Sequence, residues 1–186
     1  MFRRRAMIEI LWLGRGGQGA FTSAKLLGAA YTSKGGDKYA LAFPSFGPER
    51  RGAPVRAFTK LSDKPVLDRS ETEKADYIVI LDETLYSGSL KKMLKENGKI
   101  IINSKNKAAE NIISIDAESI AKELRLPVVN TIMMGALSAV SGIVDTENTA
   151  FAIENYMAAK LHEKNINAVK KAAAEVKNET VSERKN

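Results

Sequence analysis

The sequence predicts a three-layer α/β fold of Rossmann-like type, a single domain with a mainly parallel sheet and C-terminal helices. Three observations predict it. Short apolar runs rich in β-branched residues (MIEILWL, DYIVILD, KIIIN) alternate with segments of helical periodicity. The first run ends in a glycine cluster, Gly14-Arg15-Gly16-Gly17-Gln18-Gly19, where a strand would turn into a helix. The length, 186 residues with 44% hydrophobic content, suits one domain with a real core.

Met7 to Leu13 reads as a buried strand, apolar on both faces. Phe21, Ala24, Leu26, Leu27 and Ala30 recur at three- and four-residue steps, predicting a helix over 18–33 that Gly35-Gly36 stops. Lys38 to Phe43 and Val55 to Leu61 read as strands flanking the loop PSFGPERRGAP, and this pair is a candidate antiparallel addition. Asp76 to Asp82 and Lys99 to Asn103 are the clearest central strands, and Ser87 to Glu96 between them reads as a helix closed by Asn97-Gly98. Asn111 to Asp116 is a further strand and Ala117 to Leu124 a helix ending before Leu126-Pro127. Thr131 to Val144 is an almost uncharged, glycine-containing helix, expected to be buried. Thr146 to Val176 supplies one or two amphipathic helices. The expected domain spans 1–178, with a polar tail at 179–186 that should fray.

Composition removes several functions. Cysteine is absent and histidine occurs once, which excludes thiolate cluster ligation, thiol catalysis and multi-imidazole zinc sites. No apolar run approaches ~20 residues, so no membrane association and a cytoplasmic location are expected. The net charge of +7 is unevenly placed: residues 1–69 hold 13 Lys/Arg against 5 Asp/Glu, and eight of the ten arginines lie there. Arginine suits planar phosphate and carboxylate groups, so an anionic ligand or acidic partner is expected near this region, against the plainer reading of a solvated basic surface.

The glycine cluster satisfies G-x-G-x-x-G, which permits a tight turn and lets a backbone approach a phosphate at a helix N-terminus. A structural turn is the rival reading. A free-standing NAD(P)-dependent oxidoreductase would need an acidic residue ending the second strand, where Phe43-Pro44 stands; Asp37 precedes that strand. Ala20 occupies the lysine position of a Walker A loop. The second motif runs Phe43-Pro44-Ser45-Phe46-Gly47-Pro48-Glu49-Arg50-Arg51-Gly52-Ala53-Pro54-Val55-Arg56, a proline-stiffened loop suited to presenting side chains. Asp82-Glu83 is expected to cap a helix rather than act as an acid. His162 is expected to be a surface residue, and the small residues of Gly135 to Gly142 either seat another helix closely or relieve crowding. A nucleic-acid module is disfavoured, since neither a basic recognition helix nor an aromatic platform is evident.

Together, GRGGQGAFTSAKLLGAA and YALAFPSFGPERRGAPVRAFTKLSDKPV closely resemble the gamma subunit or domain of the 2-oxoacid:ferredoxin oxidoreductases, of pyruvate synthase type. The resemblance continues through ADYIVILDETL and NTIMMGALSAVSGI, covering about residues 7 to 155. It implies a subunit, inactive alone, of an enzyme converting a 2-oxoacid and coenzyme A to acyl-CoA, CO2 and reduced ferredoxin. Alpha, beta and delta partners are implied to hold the thiamine diphosphate and iron-sulfur clusters, with ferredoxin or flavodoxin receiving electrons. The sequence agrees: Gly36-Asp37-Lys38 is not a Gly-Asp-Gly diphosphate motif, and this chain is expected to bind no cofactor tightly by itself, hold no metal and carry no catalytic residue. The candidate binding residues are Gly14, Gly16, Gly17, Gln18 and Gly19 at the turn, with Arg50, Arg51 and Arg56 facing coenzyme A phosphates or an acidic face of the partners.

Overall fold

The computed structural model describes residues 7–45, 52–106 and 111–183, with side chains through Val176. The strands are β1 (Ile8–Arg15), β2 (Tyr39–Pro44), β3 (Pro54–Ser62), β4 (Ala75–Ile80), β5 (Leu94–Asn103) and β6 (Ile112–Ile115). The helices are α1 (Ala20–Thr32), α2 (Ala117–Leu124), α3 (Asn130–Ser141), α4 (Thr146–Tyr156) and α5 (His162–Glu183). The sheet order is β2-β3-β1-β4-β5-β6. β3 pairs antiparallel with both β1 and β2, while β1, β4, β5 and β6 pair in parallel. One reversed strand thus interrupts an otherwise parallel sheet, as the candidate antiparallel pair around the proline-rich loop anticipates.

β1 reads as a continuous apolar run because both of its faces are covered. On one face Ile10 and Trp12, with Ala57, Leu61, Val79, Leu81 and Ile101, join a core to which all five helices contribute. The Trp12 indole N–H donates to the Thr59 hydroxyl (3.0 Å), which donates in turn to the Ala24 carbonyl of α1 (3.0 Å), so the buried polar groups here are paired. The other face carries Leu11, Leu13, Phe58, Ile78, Ile80, Ile100 and Ile102, under Leu85, Tyr86, Leu90 and Met93. The third layer is therefore made of two 3-10 turns, Glu83–Leu85 and Gly88–Met93, together with the irregular chain of residues 63–74. That chain is tied down by charge. Lys60, 1% exposed, pairs with Asp68 (2.5 Å) and Glu9 (3.6 Å), and Glu9 also meets Lys95 (3.1 Å).

The helix expected over Ser87 to Glu96 is a correction: the segment is a 3-10 turn followed by the first residues of β5. Leu90 and Met93 share a face at a three-residue step in either helix type, so the burial pattern was legible and the helix type was not. Asn97-Gly98 accordingly closes no helix. Asn97 has φ 65° and Gly98 lies in a bulge between the Ala75–Leu94 and Tyr77–Lys99 pairs. A Cβ on Gly98 would stand 3.1 Å from the Ala75 carbonyl oxygen.

The C-terminal fifth is two amphipathic helices, broken at Met157–Leu161, and α5 runs to Glu183. Gly135 settles the two readings of its segment. A Cβ there would lie 2.7 Å from both the Cα and the carbonyl oxygen of Val169, so α3 and α5 cross in backbone contact.

Candidate functional site

Neighbouring parallel strands β1 and β4 send the chain to opposite faces, β1 into α1 and β4 into the Glu83–Leu85 turn. Such a division at the carboxyl ends of strands is where α/β sheets bind ligands. The glycine turn sits there. Gly17 (φ 95°) and Gly19 (φ 83°) occupy the left-handed region that glycine enters without strain. A Cβ on Gly14 would press on Ala20 Cβ at 3.3 Å. Gly16 extends the β1–β3 ladder, donating to the Ala53 carbonyl (2.8 Å) and accepting from the Gly52 N–H (3.2 Å). Gln18 closes the turn on itself: its N–H donates to the Arg15 carbonyl (2.9 Å) and its Oε1 accepts from the Arg15 N–H (2.7 Å).

Gly19 is the N-cap of α1, which has no side-chain cap and no acid in its first turn. The N-terminus of α3 likewise has neither. The two starts are held together by the Ser23 hydroxyl, which donates to the Asn130 carbonyl (3.0 Å). Asn130 is 3% exposed, and its side-chain amide makes no hydrogen bond among the described residues. It lies over Gly19, where an added Cβ would be 2.7 Å from its Nδ2. Two positive helix ends and the Asn130 amide, whose unpaired polar atoms remain open to water, therefore converge on one point, an arrangement suited to an anionic oxygen.

Arg15 reaches across the division between β1 and β4. Its Nε donates to Asp82 Oδ2 (2.9 Å), one terminal nitrogen to the Thr84 hydroxyl (2.7 Å) and the other to the Gly52 carbonyl (3.1 Å). Asp82 also accepts from the Thr84 N–H (3.0 Å), so this carboxylate caps the 3-10 turn as expected of a capping residue. Partial burial pushes the Asp82 carboxyl up, but the hydrogen bonds from Thr84 and the Arg15 guanidinium outweigh it and leave the group below its ordinary 3.8.

Arg50 and Arg51 lie outside the described residues. Their loop starts and ends beside the turn: the Ser45 N–H donates to the Arg56 carbonyl (2.9 Å), and Gly52 meets Gly16 and Arg15. Arg56 itself projects on the sheet face opposite the helices. It pairs with Glu71 (3.5 Å), stands 5.9 Å over the Phe58 ring and donates to Met93 Sδ (3.7 Å). The structure therefore separates Arg56 from the convergence at Gly19.

Asp37 is exposed and precedes β2, at the sheet edge opposite the glycine turn, and antiparallel β3 occupies the place beside β1 where a dinucleotide fold has its second parallel strand. His162 is half-buried at the start of α5, with Nε2 2.9 Å from the Met157 carbonyl. Among the described residues no group of three or more His, Asp or Glu could hold a metal, and no helix is long and apolar enough to cross a membrane. Asn130 is not among the residues singled out in the sequence, and it opens α3 without capping it, so no local signal marks it.

The Pyruvate ferredoxin/flavodoxin oxidoreductase family profile matches residues 9–175. The pyruvate synthase subunit PorC of Methanothermobacter marburgensis is 42% identical over 181 residues, covering 92% of this chain and 98% of that protein. The pyruvate/ketoisovalerate oxidoreductases common subunit gamma of Thermococcus kodakarensis is 40% identical over 188 residues, covering 94% of this chain and 98% of its own. Among solved structures, the pyruvate oxidoreductase subunit PORC of Thermotoga maritima superposes with a TM-score of 0.75 at 34% identity, covering 92% of this chain and 96% of that one.

Proposed function

The chain belongs to the pyruvate ferredoxin/flavodoxin oxidoreductase family, as a gamma-type subunit, and from that premise we propose that it holds an anionic part of coenzyme A for partners that carry the redox chemistry. The observation that carries this reading is the meeting of the α1 and α3 N-termini at Gly19 beneath the unpartnered Asn130 amide. A phosphate oxygen there gains backbone N–H donors, two positive helix ends and one side-chain donor without displacing an existing bond.

In this reading Gly16, Gly17 and Gly19 let the backbone approach the phosphate, while Gly14 and Gln18 shape the turn. Arg50 and Arg51 bind a further phosphate. Arg56, with Glu71, faces a catalytic partner from the other side of the sheet. Alpha, beta and delta subunits complete the enzyme, binding the thiamine diphosphate and the iron-sulfur clusters that pass electrons to ferredoxin or flavodoxin in the cytoplasm. Thiamine diphosphate supplies the decarboxylation chemistry when bound. This chain's residues bind and orient the acyl acceptor and carry no acid, base or nucleophile of their own. Substrate choice lies with the partners, a division supported by the Thermococcus kodakarensis relative, whose name assigns one gamma subunit to both pyruvate and ketoisovalerate oxidoreductases.

Reconstitution tests the reading. The purified chain alone neither decarboxylates pyruvate nor reduces a dye, and activity appears with the three partners. In the assembled enzyme Asn130→Ala, Arg50→Gln and Arg51→Gln each raise the KM for coenzyme A. Loss of a charged hydrogen bond, worth about 1.5 to 3 kcal/mol, corresponds to roughly one to two decades for each arginine. Activity in the isolated chain, or an unchanged coenzyme A dependence in all three variants, overturns it.

A further inference from the structure

We propose that Arg15 is a positioning residue for coenzyme A use: it touches no ligand and sets the site by locking three separate backbone segments in one register. The proposal rests on the reading of the glycine turn as the coenzyme A site.

The three contacts of the guanidinium tie its own segment to two others. Asp82 and Thr84 belong to the exit from β4, Gly52 to the start of β3, and Arg15 itself to the glycine turn. The turn is already stitched to β3 by the Gly16–Ala53 and Gly16–Gly52 backbone bonds, and Gln18 holds the Arg15 N–H from the other side. What lacks a backbone tie of this kind is the turn and the β4 exit beyond the Leu81–Leu13 bond (2.8 Å), which is where the connections part to opposite faces. Arg15 spans that gap. Its side chain is about one-third exposed (35%), and an ion pair open to water on one side contributes little to global stability, so stability alone does not account for contacts to two separate segments. Orientation does account for them. A planar fork fixes the relative placement of its partners, whereas a lysine ammonium, a compact charge with three freely rotating donors, holds them in no fixed plane.

The decisive variant is Arg15→Lys, compared with Asp82→Asn and the double variant in the assembled oxidoreductase. Arg15→Lys keeps the charge and loses the fork. It is expected to raise the KM for coenzyme A roughly fivefold or more, well within the hundredfold that a 1 Å misplacement can cost, while the KM for the 2-oxoacid stays within about twofold. The double variant is expected to be no worse than the more damaging single one, because both break the same link. An unchanged KM for coenzyme A overturns the proposal. So does a parallel rise in both KM values with a lowered Tm, which marks a merely structural residue. Asn130→Ala separates the two failures. If it raises the KM for coenzyme A and Arg15→Lys does not, only the positioning role falls. If neither variant changes it, the reading of the site falls too.

Discussion

Replacing Gly19 by alanine tests the site at its tightest point, and Gly17→Ala is its internal control. Both glycines have positive φ, 83° and 95°, so either alanine meets the left-handed penalty of about 1 kcal/mol or slightly more. At Gly17 nothing else lies within 4 Å, and strain is the whole effect. At Gly19 the new Cβ lies 2.7 Å from Asn130 Nδ2, 3.1 Å from its Cγ and 3.2 Å from its Cβ. The amide tip could swing, but Asn130 is 3% exposed and its carbonyl is held by Ser23, so its stem cannot follow. Overpacking of this kind costs about 1–3 kcal/mol, bringing Gly19→Ala to roughly 2–4 kcal/mol. For a chain of this size each kcal/mol lowers Tm by about 2–4 °C, so scanning calorimetry should register a drop of roughly 3 °C for Gly17→Ala and at least twice that for Gly19→Ala. In the assembled enzyme Gly19→Ala should also raise the KM for coenzyme A, since it turns the amide away from the helix ends. Equal Tm losses in the two variants would refute the close packing of Asn130 on the turn.

Gly135→Ala gains up to about 1 kcal/mol of helix propensity yet forces α3 off the Val169 backbone at a cost of about 1–3 kcal/mol, so urea denaturation should show net destabilisation, most visibly as a loss of the α3–α5 contact in hydrogen exchange. Asp82 has its folded pKa below the ordinary 3.8, so it stabilises the fold above that value and loses this contribution as pH falls through its folded pKa. The stability gap between wild type and Asp82→Asn should be constant near neutrality and narrow below about pH 4 in acid titrations followed by circular dichroism; a gap that widens on acidification contradicts the assigned partners.

The strands and the first helix were legible because their signals are local. The run ending at Leu13 is followed by a glycine cluster in which Gly17 and Gly19 take the positive φ that most residues adopt only with strain, so the turn announces itself by composition. The order of the strands is not local information. Leu13 lies opposite Arg56 through a pairing set by which apolar faces meet, and nothing near either residue declares that β3 rather than β2 adjoins β1. Leu90 and Met93 carried a burial signal common to two helix types. At the site, Asn130 was hidden by distance along the chain, since its neighbour Gly19 lies at the other end of the contact. Arg56 looked free for the same reason: its partner Glu71 belongs to a segment without regular structure, whose position periodicity cannot supply.

The reversed strand also orders the assembly of the sheet. Among the described residues β2 has β3 as its sole neighbour, and residues 45–53 alone separate the two, whereas β1 must close over residues 16–74 to find β4. The difference in loop-closure entropy favours the short hairpin by roughly 2 kcal/mol. β2 and β3 can therefore pair first and dock onto β1 as a unit, with the Thr59 hydroxyl arriving in place for both Trp12 and Ala24. The parallel half of the sheet, dominated by longer-range pairing, then sets the folding rate. The Arg15–Asp82 contact, in contrast to the turn's own bonds, forms only where β4 seats against β1, so it depends on the parallel half of the sheet.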